Sequence, residues 1–300
     1  MKKLLILLLL FFSSIGSSYA DFDSWFEATK YCAEIHNPQK DNQTNSTLAN
    51  LESLAEQGES NASACLGKLY DESGIIAQNA QKSFNWHLKA AEQGDPYSLS
   101  VVGFKYEQGE GVLKDGKEAV KWYTKAAEQG YASAQTNLAD YLINEDYFIN
   151  WVDADMWYSK AAEQGYLRAQ YNFAIMHQQS HPLQDITVAV KWFTKAAEQG
   201  DLDAQINLGV MYYDGRDWLD SDYQAVSQDD KEAFKWFTKP AEQDYPIAQY
   251  ALGEMYANGF GVLKDMAKAK YWIKKAYENT DEKVSNAAKD IWERLELSNY

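Results

Sequence analysis

Ala119-Val120-Lys121-Trp122-Tyr123-Thr124-Lys125-Ala126-Ala127-Glu128-Gln129-Gly130 is the stretch on which the fold turns. Its last four residues recur at Ala55–Gly58, Ala91–Gly94, Ala162–Gly165 and Ala197–Gly200, in degraded form at Ala241–Asp244, and as a remnant at Tyr277–Thr280. Successive copies lie 35 or 36 residues apart, with one gap of 44. A period of that length, kept along most of a chain, is the mark of a helical solenoid. Inside the stretch, Ala119, Trp122 and Ala126 fall on one helical face by their i, i+3, i+7 spacing. Ser83-Trp86-Ala90, Ala154-Trp157-Ala161, Ala189-Trp192-Ala196, Ala233-Trp236-Pro240 and Ala269-Trp272-Ala276 repeat it. The small residues let a neighbouring backbone approach, and the tryptophan ring is expected to fill the space left. Glycine at the end of each copy suits a left-handed helix cap.

Ahead of each of these helices runs a second stripe. Ala62-Leu66-Tyr70, Ser98-Val102-Tyr106, Ala134-Leu138-Leu142, Ala169-Phe173-His177, Ala204-Leu208-Tyr212 and Ala248-Leu252-Tyr256 are each spaced by four. Gly67, Gly103, Gly209 and Gly253 follow the middle residue. A mid-helix glycine costs about 1 kcal/mol relative to alanine, so its return at fixed register predicts close helix contact. Two connectors, Gly109-Glu110-Gly111-Val112 and Gly259-Phe260-Gly261-Val262, lead into Leu-Lys-Asp, which makes Asp115 and Asp265 the expected helix caps. One such hairpin cannot bury both stripes, whereas stacked hairpins share a continuous core. The chain therefore reads as all-α: an αα-hairpin repeat solenoid wound as a right-handed superhelix. Six repeats are expected at 59–94, 95–130, 131–165, 166–200, 201–244 and 245–280. Capping helices with a partial repeat are placed at 21–58, and a capping helix at 281–300.

Lys2 and Lys3, the apolar run from Leu4 to Phe12, and the small residues up to Ala20 have the layout of a signal peptide spanning 1–20. That run is too short for a bilayer core, which needs about 20 apolar residues. Export to the periplasm or the exterior is expected, with no membrane span in the remaining chain. The formal charge of −16 argues against nucleic acid, whose phosphates it repels, and favours a cationic partner. Cys32 and Cys65 are the only cysteines. An oxidising compartment lets them pair and staple the first helix to the first repeat; two buried free thiols are the alternative. No cofactor or metal is expected.

Departures from the repeat point to what is individual. Repeat five carries an insertion in which Asp217, Trp218, Asp220, Asp222 and Tyr223 lie outside the core register. Aromatics rimmed by acid suit a basic, partly apolar segment, while a solvated silent loop is the plainer reading; the spacing does not fit a calcium loop. Tyr147, Phe148 and Trp151 in the third connector either plug a gap or form a contact surface. Pro240 stands where other repeats have alanine, and predicts a kink or an early helix stop, with a harmlessly frayed last turn as the alternative. His87 and His177 occupy aromatic packing positions, so neither reads first as catalytic. His177 and His181 are four apart, but Pro182 argues against a shared helix, and zinc would need a third ligand. No phosphate-binding loop or nucleophile elbow is present.

Gly103, Tyr106, Gly109, Gly111-Val112, Asp115, Ala119, Trp122 and Ala126–Gly130 together resemble the Sel1-like repeat, a relative of the tetratricopeptide repeat. The resemblance covers about residues 47–280. It implies a non-catalytic scaffold or adaptor for other proteins, with secreted bacterial members similar to host-interaction or envelope proteins. First helices of successive repeats should then line an inner groove, with Tyr171, Gln205 and Gln249, and also Gln135 and Gln170, as contacts. The expected partner is another protein with a basic or extended segment, bound by a monomer through the groove or the repeat-five loop. Two alternatives stay open. A structural envelope component is one. The other is a β-lactam-binding or hydrolysing enzyme similar to cysteine-rich secreted repeat proteins, although those carry a cysteine pair in each repeat.

Overall fold

The protein is seen as a computed structural model that describes residues 44–71, 77–143, 150–179, 183–214, 227–278 and 282–295. The expected signal peptide, Cys32, His181 and the aspartates and aromatics of the repeat-five insertion lie outside the described residues. The architecture is an all-α solenoid of paired helices. Contacts divide it into two compact units, Met1–Tyr141 and Leu142–Tyr300.

The first unit holds α1 (Thr44–Glu56), α2 (Ser60–Asp71), α3 (Ala80–Glu92), α4 (Pro96–Gln108), α5 (Gly116–Glu128) and α6 (Ala132–Leu142), which ends at the division. Packing runs between neighbours in sequence: α1 on α2, α2 on α3, α3 on α4, α4 on α5. The second unit holds α7 (Trp151–Glu163), α8 (Leu167–Gln178), α9 (Ile186–Glu198), α10 (Leu202–Asp214), α11 (Asp230–Glu242), α12 (Pro246–Asn258), α13 (Met266–Tyr277) and α14 (Glu282–Arg294). Here too each helix packs on the next, and α14 also reaches back to α12. Ala288 and Ile291 are the buried face of α14, as a closing helix requires, and Glu293 is exposed.

The helix boundaries follow from local chemistry. Asp115 Oδ1 accepts from the Lys117 and Glu118 amides at 2.9 and 3.2 Å, and Asp265 Oδ1 from the Lys268 amide at 3.0 Å. Each satisfies donors that the first helical turn leaves without a partner. At the other ends, Gly94, Gly130, Gly165 and Gly200 have φ of 91, 86, 84 and 98°, the left-handed region. The Gly-x-Gly connectors have a further duty. A Cβ on Gly111 would overlap the Ala80 carbonyl, and one on Gly261 the Asp230 carbonyl. Each connector is thus seated against the start of the second helix of the preceding repeat.

The mid-helix glycines make the close helix contact their register predicts, three of them against rings and Gly253 against Ile273. A Cβ at Gly103 would lie 2.7 Å from the Tyr123 ring, at Gly209 2.7 Å from Phe237, and at Gly67 2.5 Å from His87. These rings lie one residue after the repeated tryptophan, and they are the deepest large side chains. Tyr123, Tyr158, Phe193 and Phe237 are at most 1% exposed. The tryptophans correct the sequence reading: only Trp122 and Trp192 are buried, while Trp86, Trp157, Trp236 and Trp272 are half-buried. Lys125, Lys160 and Lys195 stand over Trp122, Trp157 and Trp192 at 4.3, 4.3 and 4.5 Å. The ring closes the edge of the core and carries a lysine one turn later. At Pro240 the early helix stop is not seen. Helix α11 runs through it to Glu242, because near the last turn its missing amide costs a single bond.

Candidate protein-binding face

The first helices of the second unit are joined to one another along one side by polar side chains. On α8, Tyr171 meets the Phe193 ring of α9 edge-on at 5.8 Å, and Asp203 and Asn207 of α10 act on its hydroxyl. On α10, the Tyr213 hydroxyl donates to Glu254 Oε2 of α12 at 3.3 Å, and its ring meets Phe260 at 6.1 Å. On α14, the Arg294 guanidinium lies 3.8 Å from Glu254 Oε1. Tyr171, Ile206, Val210, Tyr213, Tyr250 and Glu254 are all half-buried here.

Tyrosine beside carboxylate sets the electrostatics. Burial first, and then Asp203, raise the Tyr171 hydroxyl pKa above its ordinary value. Burial and Glu254 do the same at Tyr213, where Glu254 also accepts a hydrogen bond from the hydroxyl. Burial and Glu254 again raise Tyr250, against the opposing pull of Arg294. These hydroxyls stay neutral donors at physiological pH, on a face whose fixed charges are mostly negative.

The glutamines expected to face a partner do something the sequence reading did not assign. Gln135, Gln170, Gln205 and Gln249 are 2–5% exposed. Each donates its amide to the carbonyl of the last alanine of the preceding helix: Ala127, Ala162, Ala197 and Ala241, at 2.9 to 3.3 Å. They satisfy carbonyls that a helix end leaves open and fix the step between repeats. Of the candidate contacts in the described residues, Tyr171 remains on the surface, and Gln205 and Gln249 lie beneath it. Their shared Ala-Gln spelling, always eight residues after the accepting alanine, is the signal from which this role could be read.

The first unit contains a polar cluster that sequence reasoning missed. Lys105, 1% exposed, stands on α4 where other repeats place Leu69, Tyr141, Met176, Met211 and Met255. Its ammonium lies 2.6 Å from Asp71 Oδ1. His87, fully buried, has Nε2 3.6 Å from Asp71 Oδ2 and Nδ1 3.3 Å from the Ser98 hydroxyl. Burial alone would raise the Asp71 pKa, but His87, Lys105 and Ser83 around the carboxylate prevail and hold it at about 2. In the second unit, His177 packs on Phe173 at 4.7 Å and lies 2.8 Å from Asp155. Both histidines fill aromatic positions, as the repeat register indicates. Among the described residues, no three His, Cys, Asp or Glu side chains converge as metal ligands, and no helix is long and apolar enough to cross a membrane. Cys65 is buried on α2 and is not free; Cys32 lies outside the described residues.

Residues 64–95, 96–131, 156–166, 167–201, 202–245 and 246–281 match the Sel1 repeat. A crystal structure of a Sel1 repeat protein from Oxalobacter formigenes is similar at 29% identity and TM-score 0.60, covering 71% of this chain and 88% of that one. A protective antigen present in uropathogenic Escherichia coli strains, displaying an SLR fold, is similar at 28% identity and TM-score 0.54, over 83% of this chain. The chain spans 60% of that antigen's length. No curated protein matches the sequence. With the repeat matched over well beyond half of its residues, the chain belongs to the Sel1 repeat family of helical protein-interaction scaffolds.

Proposed function

We propose that this protein is exported and holds a partner protein through a basic, extended segment laid along the first-helix face of α8, α10 and α12. The observation that carries the reading is the run of half-buried tyrosines and carboxylates on those three helices. Tyrosine supplies rigid contact area with a hydrogen-bonding tip, and carboxylates beside it select cationic side chains. The repeat-five insertion, with Asp217, Trp218, Asp220, Asp222 and Tyr223, extends the same chemistry and is a second contact in this reading. Export rests on the charged and apolar layout of residues 1–20 and places Cys32 and Cys65 where they pair. Likeness to a protective antigen supports a location outside the cytoplasm.

The test is capture of partners by residues 21–300, followed by crosslinking, with wild type compared against Asp203→Lys and Tyr250→Ala. Asp203 is exposed, so its reversal leaves the fold intact. Crosslinks to α8, α10 and α12, weakened about tenfold by either substitution and by added salt, are expected for a charge-steered interface. Partners held with unchanged affinity by both variants would overturn the groove. N-terminal sequencing of the secreted chain, with a thiol assay, reads out cleavage after Ala20 and the Cys32–Cys65 bond independently.

A further inference from the structure

A cleft of about 400 Å³ opens in the first unit, lined by Glu52 of α1, Tyr70 of α2, and Lys82, Asn85, Trp86 and Lys89 of α3. Its chemistry is opposite to that of the tyrosine face. Lys82 stands over the Tyr70 ring at 5.1 Å, and Lys89 over the Trp86 ring at 5.3 Å. Carboxylates outnumber cations by 44 to 28 in this chain. Yet among the described residues neither lysine has a carboxylate within ion-pair distance, although Glu52 shares the cleft. Each ammonium has settled for the face of a ring, a weaker partner at an exposed site than a carboxylate in a charge-assisted hydrogen bond. The side of Trp86 left uncovered and the buried edge of Tyr70 give the same cleft apolar walls.

We propose that this cleft docks an acidic segment of a partner protein, one that presents carboxylates beside an apolar side chain. The carboxylates exchange ring faces for ion pairs with Lys82 and Lys89, and the apolar side chain enters between Trp86 and Tyr70. The volume suits one or two side chains, which makes this a site for a short linear segment rather than a broad interface. Charge complementarity argues for this occupant, since an acidic segment is repelled by most of the surface and attracted here. The protein then carries two contact surfaces of opposite selectivity, one in each compact unit, as an adaptor joining two different partners requires.

The test uses the full mature chain and two fluorescein-labelled pentapeptides, Glu-Phe-Glu-Leu-Glu and Lys-Phe-Lys-Leu-Lys, read by fluorescence polarisation. The acidic peptide is expected to bind, to weaken as salt is raised, and to lose about tenfold or more in affinity with Lys82→Glu/Lys89→Glu. Circular dichroism checks that this variant is folded. Asp203→Lys, on the tyrosine face, should leave acidic-peptide binding unchanged, so the two surfaces fail separately if either reading is wrong. Equal affinity of wild type and double variant, or binding of the basic peptide at the same lysines, overturns the proposal. So does a carbodiimide crosslink from Lys82 or Lys89 to residues 21–43 of the same chain before peptide is added, because that segment would then be the occupant.

Discussion

At the scale of single residues, the repeat's most visible letter is not its deepest one. Phe237 is 1% exposed and lies against Gly209, whereas Trp157 keeps one side open beneath Lys160. Phe237→Ala should cost about 3–5 kcal/mol, as buried aromatic truncations do, and Trp157→Ala clearly less. Urea melts of the two variants check the order, and equal losses would put the tryptophan back at the centre of the core. Lys105 supplies a second case. Its ammonium is buried, and Asp71 is the group that neutralises it. Asp71→Asn leaves that charge only the Glu110 carboxylate, 3.9 Å away, and should cost about 3 kcal/mol, while Asp71→Asn/Lys105→Met should return to within about 1 kcal/mol of wild type. Methionine is what Met176, Met211 and Met255 already place there. The lowered pKa of Asp71 also has a direction. Its contribution is fully present above its unfolded value near 4, and is lost as pH falls through about 2. Melts between pH 5 and pH 2 should therefore show a steeper acid loss in wild type than in the double variant.

At the scale of elements, ends and connectors were legible because capping chemistry is local. Asp115 and Asp265 cap as their spacing indicates, and the terminal glycines take the left-handed conformation. Pro240 does not stop α11, because it stands in the final turn, where the backbone bonds are already few. Its neighbour Asp244 is the true exception. It holds φ of 62° where the preceding repeats use glycine, and it is tied there by the Gln249 amide at 3.1 Å and Lys275 at 2.9 Å. Hydrogen bonds from Lys275 lower the Asp244 pKa, and Asp244 correspondingly raises that of Lys275. Asp244→Gly removes a strained conformation and loses an exposed ion pair that salt screens. Its melting temperature should therefore exceed that of wild type by more at high salt than at low salt; a gap that shrinks with salt would show that the pair outweighs the strain. At Gly111, strain and space act together, since a Cβ would overlap the Ala80 carbonyl at a φ of 71°. Gly111→Ala should lower the melting temperature well beyond Gly130→Ala, which has open space around it.

At the scale of the whole molecule, periodicity made the solenoid readable, because a stripe that recurs every 35 or 36 residues has one way to be buried. The same periodicity hid the polar contacts between repeats. Gln205 and Gln249 recur because they hold the helix ends of the preceding repeat, so recurrence marked them for architecture rather than contact. Lys105 with Asp71, and Glu254 with Tyr213, pair residues from different repeats, and no pattern within one repeat announces them. Even so, among the described residues the packing stays close to the chain order: helices pack mainly on their neighbours in sequence, and α14 adds a smaller contact with α12. Stability in such a chain is a sum of repeat terms and nearest-neighbour terms, and a lesion should be felt locally. Ile273, fully buried on α13 against Gly253, is the place to test this inside the second unit. Ile273→Ala should speed amide exchange in α12, α13 and α14, and leave α8 near its wild-type rate. Hydrogen–deuterium exchange followed by mass spectrometry resolves these helices. Acceleration of α8 to the same degree as α13 would mean that the unit opens all at once, and that coupling between repeats exceeds what neighbour-to-neighbour packing supplies.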